Sequence, residues 1–359
     1  MASFKEINKF YSKKRVFITG HTGFVGSWMS LWLSHVGAEV TGYSLDPPSK
    51  PYLYSMLDFE NKIVNIKGDV RDFKKLKKAI DDADPEIIIH LAAQPILLES
   101  YKIPRETYET NVMGTVNLLE AALKSDAKSV INVTSDKCYQ NTGQKSGYRE
   151  NDKLGGHDPY SSSKACSELV TGAYYDSFFK QAGIGIASAR AGNIIGGGDW
   201  GLGRLIPDIA KSLSSNKKII VRNPAAIRPW QYVLDAIYGY LLLARMVYSD
   251  RSYSGAWNFG PHQNSIKTVA QLIEIFCESW DGQYSDKRKI RIKKGKTHED
   301  EILILDSTKT RSRLGWNTYT EFNNAVELTA RWYKLYYYSK LGMGDYSISM
   351  LKSYIYATN

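Results

Sequence analysis

Cysteine is scarce in this chain: Cys138, Cys166 and Cys277 are the only three in 359 residues, and they form neither a C-x-x-C pair nor an even framework. That argues against a disulfide scaffold and a structural zinc, leaves no metal site to expect, and points to a reducing compartment, the cytoplasm. No apolar run approaches the ~20 residues needed to span a bilayer, so no membrane partner is expected. The first fifteen residues are polar and charged, unlike the apolar centre of a secretion signal. Internal repeats and low-complexity tracts are absent too, which argues against a solenoid or a disordered linker protein.

The length suffices for one large domain or two intimately joined ones with a sizeable core. With 43% hydrophobic and 23% charged residues, the composition is that of a soluble globular chain. The formal charge of +10 favours anionic partners, either a dinucleotide and nucleotide-sugar diphosphate or nucleic acid. The basic runs lie at 13–15, 74–78 and 287–296. The first abuts a strand and the second is one solvated helix face, so no nucleic-acid partner is expected.

Residues 15–19 (RVFIT) read as a buried strand, followed by Gly20-His21-Thr22-Gly23-Phe24-Val25-Gly26 and a helix over 27–36. A strand, a glycine-rich turn and a helix are what a dinucleotide pyrophosphate requires: Gly20 for the tight turn, Gly23 for close approach of the backbone, Gly26 for helix–sheet packing. Further strands are expected at 39–44, 63–70, 86–94 and 129–133, that at 86–94 a continuous apolar run typical of a central parallel strand. Helices are expected over 104–123 and 159–179 by the spacing of their apolar positions. Past Arg190 the alternation breaks, and RAGNIIGGGDWG, with five glycines, reads as an extended loop over the site. The fold class is α/β: a doubly wound parallel Rossmann sheet with a smaller, interleaved C-terminal substrate-binding α/β domain. Residues 1–190 form the first unit, to which 233–265 return, and 191–232 with 266–359 form the second. The aromatic helix of the tail, WYKLYYYSKL, carries no readable motif.

The chemistry concentrates at Thr134-Ser135-Asp136-Lys137, where a strand ends, and at Tyr160 and Lys164, whose i,i+4 spacing puts phenol and ammonium on one helix face. A phenol is a poor base near neutrality, and a neighbouring cation lowers its pKa by favouring the phenolate. Such a pair can take a proton from a sugar hydroxyl while a hydride leaves the same carbon.

The glycine turn with Tyr160-x-x-x-Lys164 resembles the extended short-chain dehydrogenase/reductases. TGHTGFVGSW (19–28), AAQP (92–95), TNVMGT (110–115), TSDKCY (134–139), GYREND (147–152), DPYSSSKA (158–165), RAGNIIGGGDW (190–200), RLIPD (204–208), IRPWQ (227–231) and WNFGP (257–261) are similar to stretches of the CDP-glucose 4,6-dehydratases. This resemblance implies that NAD lies on residues 20–26, Asp69 and Val70, Leu91 to Gln94, Asn111, Val133, Tyr160, Lys164 and Arg190. Many relatives carry an acidic residue at the end of the second strand; Ser44 and Asp46 stand there, which leaves NADP open beside NAD. The nucleotide sugar is implied on Gln94, Ser135, Asn193, Arg204, Leu205, Arg228, Trp230 and His298. A homodimer through a four-helix interface made by 104–123 and 159–179 is also implied, and possibly a tetramer.

Oxidation at C4 of a hexose makes its C5 proton acidic, so water can leave across C5 and C6 before hydride returns to C6. In the dehydratases Tyr160 would take the C4 hydroxyl proton, Thr134 would hold the C4 oxygen, Asp136 would protonate the leaving C6 hydroxyl and Lys137 would exchange the C5 proton. Asp-Glu occupies this position in dTDP-sugar dehydratases, and Asp-Lys resembles the CDP branch. One departure concerns the sugar nucleotide: Leu98 and Glu99 stand where relatives carry an arginine and an apolar residue. The rival readings are a nucleotide-sugar 4-epimerase, which needs no Asp136/Lys137 pair, and a silent dinucleotide-binding sensor, which typically lacks the tyrosine or lysine.

Overall fold

A computed structural model describes residues 3–47, 49–59, 61–281, 290–293, 302–339 and 342–356. The chain opens with α1 (Phe4–Tyr11), β1 (Arg15–Thr19), α2 (Phe24–His35), β2 (Glu39–Ser44) and β3 (Ile63–Lys67). Next come α3 (Phe73–Ala83), β4 (Ile87–His90), α4 (Gly114–Leu123), β5 (Ser129–Val133) and α5 (Pro159–Tyr174). The second half contains β6 (Gly185–Ala191), β7 (Asn193–Ile195), α6 (Leu205–Ser214), β8 (Ile219–Val221), β9 (Ile227–Tyr232), α7 (Val233–Ser249) and β10 (Gly255–Phe259). β11 (Ile266–Thr268), α8 (Val269–Asp281), β12 (Ile290–Ile292), α9 (Phe322–Tyr338) and α10 (Met343–Tyr356) complete it.

Seven strands form a parallel sheet in the order β10-β6-β5-β4-β1-β2-β3. Its central strands are apolar on both faces. Val16, Ile18, Ile87, Ile89 and Ile131 share one core with Trp28 and Trp32 of α2 and the buried length of α7. Phe17, Ile88 and Val130 share the other with Leu76 of α3 and Leu118 and Leu119 of α4. The alternating side chains of β1 and β4 therefore bury against helices above and below. Strand order reverses between β1 and β4, where such sheets leave a crevice outside their carboxyl ends.

The glycine-rich stretch after β6 differs from expectation. It is a loop only in part, because Asn193–Ile195 pair in parallel with β9, and β9 pairs antiparallel with β11. A two-stranded parallel pair, β8 with β12, flanks this small sheet. The helices expected over 104–123 and 159–179 are present, each carrying one π turn, Glu109–Met113 and Tyr175–Phe179. The helix after the glycine turn begins at Phe24 rather than Ser27, since the turn is its first cap. Cys138, Cys166 and Cys277 are free thiols. Among the described residues no helix is long and apolar enough to cross a membrane, and no group of three or more His, Cys, Asp or Glu is placed to hold a metal.

Candidate active site

The carboxyl ends of β1, β4 and β5 open into a cleft of ≈ 1280 Å3. Pockets for one small ligand run to about 1,000 Å3, so this cleft is larger than one such ligand needs.

One half of the cleft is walled by the turn between β1 and α2. Gly20 has φ +74°, and a Cβ there would lie 2.7 Å from the amide nitrogen of Ala92. A Cβ on Gly26 would lie 2.2 Å from the Gly20 carbonyl oxygen, so these two glycines let turn, β4 exit and helix meet. Gly23 is different: a Cβ there would approach only the Gly20 oxygen, at 3.3 Å, and otherwise enter the cleft. Gly23 also caps α2 without any side-chain hydrogen bond, leaving the helix amino end toward the cavity. That cradle and its dipole fit a pyrophosphate.

Thr22, Phe24, Val25, Ser44, Asp46, Asp69, Val70, Leu91, Ala92 and Ala93 line the same half. The Thr22 and Ser44 hydroxyls are hydrogen-bonded at 2.8 Å, and Asp46 is ion-paired with Lys67 at the rim. Four residues expected at the cofactor lie elsewhere or are otherwise engaged. His21 turns under β2, where its ring bonds Asn65 at 2.9 Å and burial holds its pKa below the ordinary value. Gln94 donates to Thr107 at 3.0 Å and accepts from the Ile96 amide at 2.6 Å, which ties together the loop after β4. Asn111 clamps the Gln94 backbone and donates to Ser163 at 2.9 Å. Arg190 is buried in an ion pair with Glu168 at 2.7 Å, and it also donates to the Tyr139 hydroxyl. None of these four lines the cleft, because each bonds protein groups behind its wall.

Thr134, Ser135, Asp136, Lys137, Tyr160 and Lys164 meet where the two halves join, with Val133 beside them. A short 3-10 turn, Asp136–Cys138, is capped by the Ser135 hydroxyl, which accepts from the Lys137 amide at 3.2 Å. Asp158 caps α5 by accepting from the Ser161 amide at 2.9 Å, and this fixes the helix end that carries Tyr160. The Thr134 hydroxyl donates to Glu168 at the edge of the cleft. Burial, followed among the raising causes by the Asp136 carboxylate, pushes the Tyr160 hydroxyl up to about 12, against the hydrogen bond with Ser135. Arg204, not Lys164, is the cation that most lowers it, so the expected lysine effect does not dominate in the ligand-free protein. Burial brings Lys164 down to about 8, against the pull of Glu168, while its ammonium donates to the Val133 carbonyl at 3.4 Å.

The other half is walled by side chains. Pairing of β7 with β9 sets Asn193 opposite Trp230, and Arg228 lies two residues before Trp230; all three line the cleft. The Trp230 indole donates to the Lys267 carbonyl at 3.0 Å. Arg204 and Leu205 enter from the start of α6, and Arg204 bonds Asp199 at 2.9 Å. Leu98 faces the cavity, whereas Glu99 points out to Lys102 at 2.8 Å. His298 lies outside the described residues.

Several cleft residues escaped the sequence. Asp199 carries no signal beyond its glycine-rich setting, yet its carboxylate holds Arg204 and its carbonyl accepts from Tyr333. Asp208, Lys211, Arg222 and Lys293 make the far end charged. Arg204 at the cap of α6 and positions 205, 208, 211 and 212 within it, all on one helix face, would have revealed part of it. Tyr240 also lines the cleft, hidden in the apolar run of α7.

A glycine turn at the switch point and a Tyr-x-x-x-Lys helix at the carboxyl edge place the protein among the extended short-chain dehydrogenase/reductases. The chain belongs to the family described as GDP-mannose 4,6 dehydratase, whose profile matches residues 17–329. It is 46% identical over 332 residues to the CDP-glucose 4,6-dehydratase of Salmonella typhimurium, covering 90% of this chain and 92% of that one. The fold is shared with an epimerase of Methanothermobacter thermautotrophicus, with a TM-score of 0.78 at 23% identity over 92% of this chain and 95% of that one. A dTDP-glucose 4,6-dehydratase of Streptomyces venezuelae, solved as a double mutant with NAD and DAU bound, also superposes with a TM-score of 0.78, at 23% identity over 89% and 96%.

Proposed function

We propose that the protein is a NAD-dependent hydro-lyase that converts CDP-D-glucose to CDP-4-dehydro-6-deoxy-D-glucose and water, for the deoxysugars of surface polysaccharides such as O-antigen. The observation that carries this reading is the meeting of Asp136 and Lys137 with Tyr160 and Lys164 in one cleft. An epimerase has no use for the first pair, and the 46% identical relative is named for this dehydration. Bound NAD supplies a hydride acceptor that later becomes the donor.

The chain's own residues move protons. Tyr160, with Lys164 one helical turn away, takes the C4 hydroxyl proton, and Thr134 turns its hydroxyl from Glu168 to donate to the C4 oxygen. Lys137 removes the proton at C5 and later returns one, and Asp136 protonates the departing C6 oxygen. Arg204, Arg228 and Asn193 grip the diphosphate.

Residues 1–190 with 233–265 serve the dinucleotide, and 191–232 with 266–359 serve the nucleotide sugar. A homodimer pairs the helices of 104–123 and 159–179. Met113, Leu169 and Phe178 on these helices are 51%, 61% and 46% exposed, more than solvated helix faces need. The unpaired thiols suit the cytoplasm.

The test is mass spectrometry of CDP-glucose incubated with the protein and NAD⁺ in deuterated water. The expected product has lost one water and gained one solvent deuteron at C5, and Tyr160→Phe yields none of it. An intact or merely epimerised sugar overturns the reading.

A further inference from the structure

Tyr240 sits at the floor of the cleft from the second turn of α7, and its side chain is fully buried. Its hydroxyl has no hydrogen-bond partner among the described residues. A buried phenol almost always finds a partner, because leaving one unsatisfied costs on the order of 1–3 kcal/mol. The other large tyrosines nearby obey this: Tyr139 donates to Asn258 at 2.7 Å and Tyr11 to the Leu241 carbonyl at 2.7 Å. Burial, and after it the negative charge of Asp136, raises the pKa of the Tyr240 hydroxyl, so the phenol keeps its proton. Asp136 itself faces Gly192, where a Cβ would lie 3.2 Å from its Oδ2. Gly192, Asp136 and Tyr240 all line this cleft, with an unsatisfied donor among them.

Building on the dehydratase reading above, we propose that Tyr240 is a further catalytic residue, whose hydroxyl donates a hydrogen bond to the C6 oxygen of the hexose as it leaves. Lys137 takes the C5 proton, the electron pair forms the C5–C6 double bond, the C6–O bond breaks, and Asp136 delivers the proton that completes water. Tyr240 keeps its proton throughout and stabilises the charge that develops on the departing oxygen before that proton arrives.

The experiment compares the wild-type protein with Tyr240→Phe, which keeps the ring and removes only the oxygen. Turnover is measured with NAD⁺ on CDP-glucose, and NADH formation on CDP-6-deoxyglucose, which can be oxidised at C4 but has no C6 oxygen to lose. Expected is a ten- to hundredfold fall in kcat on CDP-glucose, KM unchanged, and less than a threefold fall in NADH formation on the 6-deoxy sugar. Ligand-free Tyr240→Phe should also melt at a higher temperature, since it loses an unsatisfied buried group. Equal losses on the two substrates, or none, overturn this role while leaving the dehydratase reading intact. A wild-type protein that leaves CDP-glucose unchanged overturns both.

Discussion

Around Gly20, Gly23 and Gly26 the cleft wall is backbone, whereas around Arg204 and Arg228 it is side chains brought in from distant segments. The first wall is local: one strand, one turn and one helix within residues 15–35 build it, and its shape depends on absent Cβ atoms. The second depends on long-range support. A Cβ on Gly197 would strike the Trp332 ring, the Trp28 indole donates to the Gly197 carbonyl at 2.9 Å, and Tyr333 donates to the Asp199 carbonyl. Asp199 in turn holds Arg204. The aromatic tail helix is therefore the buttress of the substrate half. A backbone-built site tolerates few changes at few positions, whereas a buttressed one spreads its dependence over residues far from the ligand.

The sharpest break of this contrast lies within the glycine turn. Gly26→Ala puts a methyl group 2.2 Å from a backbone oxygen that cannot move without shifting β1. We expect a loss of about 3 kcal/mol or more, seen as a large fall in Tm or insoluble protein. Gly23→Ala meets only a 3.3 Å contact and should fold with nearly unchanged Tm. It should bind NAD at least tenfold more weakly by titration calorimetry. Equal stability of the two variants would refute the division of labour between these glycines.

That division explains what the sequence made legible. Strand, turn and helix around residues 15–35 are readable because glycine spacing reports backbone geometry directly, and the apolar runs of β4 and β5 reported burial on both faces. Tyr160 and Lys164 were legible because four residues make about one helical turn. Asp199, Tyr240 and the role of Trp332 were not: Asp199 and Trp332 act through contacts spanning many tens of residues, and Tyr240 reaches the cleft from a helix distant in sequence. The tyrosine is further masked by sitting in the apolar pattern of α7. Gln94, Asn111 and Arg190 stand beside the cleft in sequence, while their side chains bond protein groups behind its wall, Asn111 holding the Gln94 carbonyl.

The next effect tests the buttress. Trp332 stacks on Tyr336 at 5.9 Å, donates to Ser347 at 3.0 Å and fills the space that Gly197 leaves. Trp332→Ala should cost about 3–5 kcal/mol, measured by urea unfolding. Any folded fraction should show a raised KM for the nucleotide sugar and an unchanged Kd for NAD. Weakened NAD binding of the same size would mean that the halves are not independent.

A smaller effect is expected where the halves meet. Burial brings Lys164 from its ordinary 10.5 down to about 8. Below about pH 8 the lysine is charged in folded and unfolded protein alike, and the buried charge destabilises the fold. Between about pH 8 and 10.5 the unfolded chain holds a proton that the folded chain has released, so stability rises with pH across that window. Lys164→Met removes the penalty. At pH 7 it should stabilise the ligand-free protein by on the order of 2 kcal/mol while abolishing turnover. Its melting temperature should also lack the wild-type rise between pH 8 and 10.5, and a parallel rise would place the titration elsewhere.

The smallest effect concerns the cleft rim, where the backbone wall gives way to side chains. Asp46 is the only carboxylate near the end of β2 that lines the cleft among the described residues, and it is already paired with Lys67. Both partners are largely exposed, with 72% and 68% of their side-chain surfaces open, so solvent screens the pair and its worth is small. Lys67 partly neutralises the charge that would repel a 2′-phosphate, and Ser44, bonded to Thr22, offers only a hydroxyl to the ribose. Asp46→Ala should therefore shift the ratio of NAD to NADP affinity by less than about tenfold, roughly 1 kcal/mol, with the dehydratase kcat unchanged. Lys67→Ala frees the carboxylate and should move the ratio the other way, toward stricter NAD. Fluorescence titration of both variants with the two dinucleotides reads this directly. If both variants shift the ratio in the same direction, recognition at this rim depends on something other than the balance of these two charges.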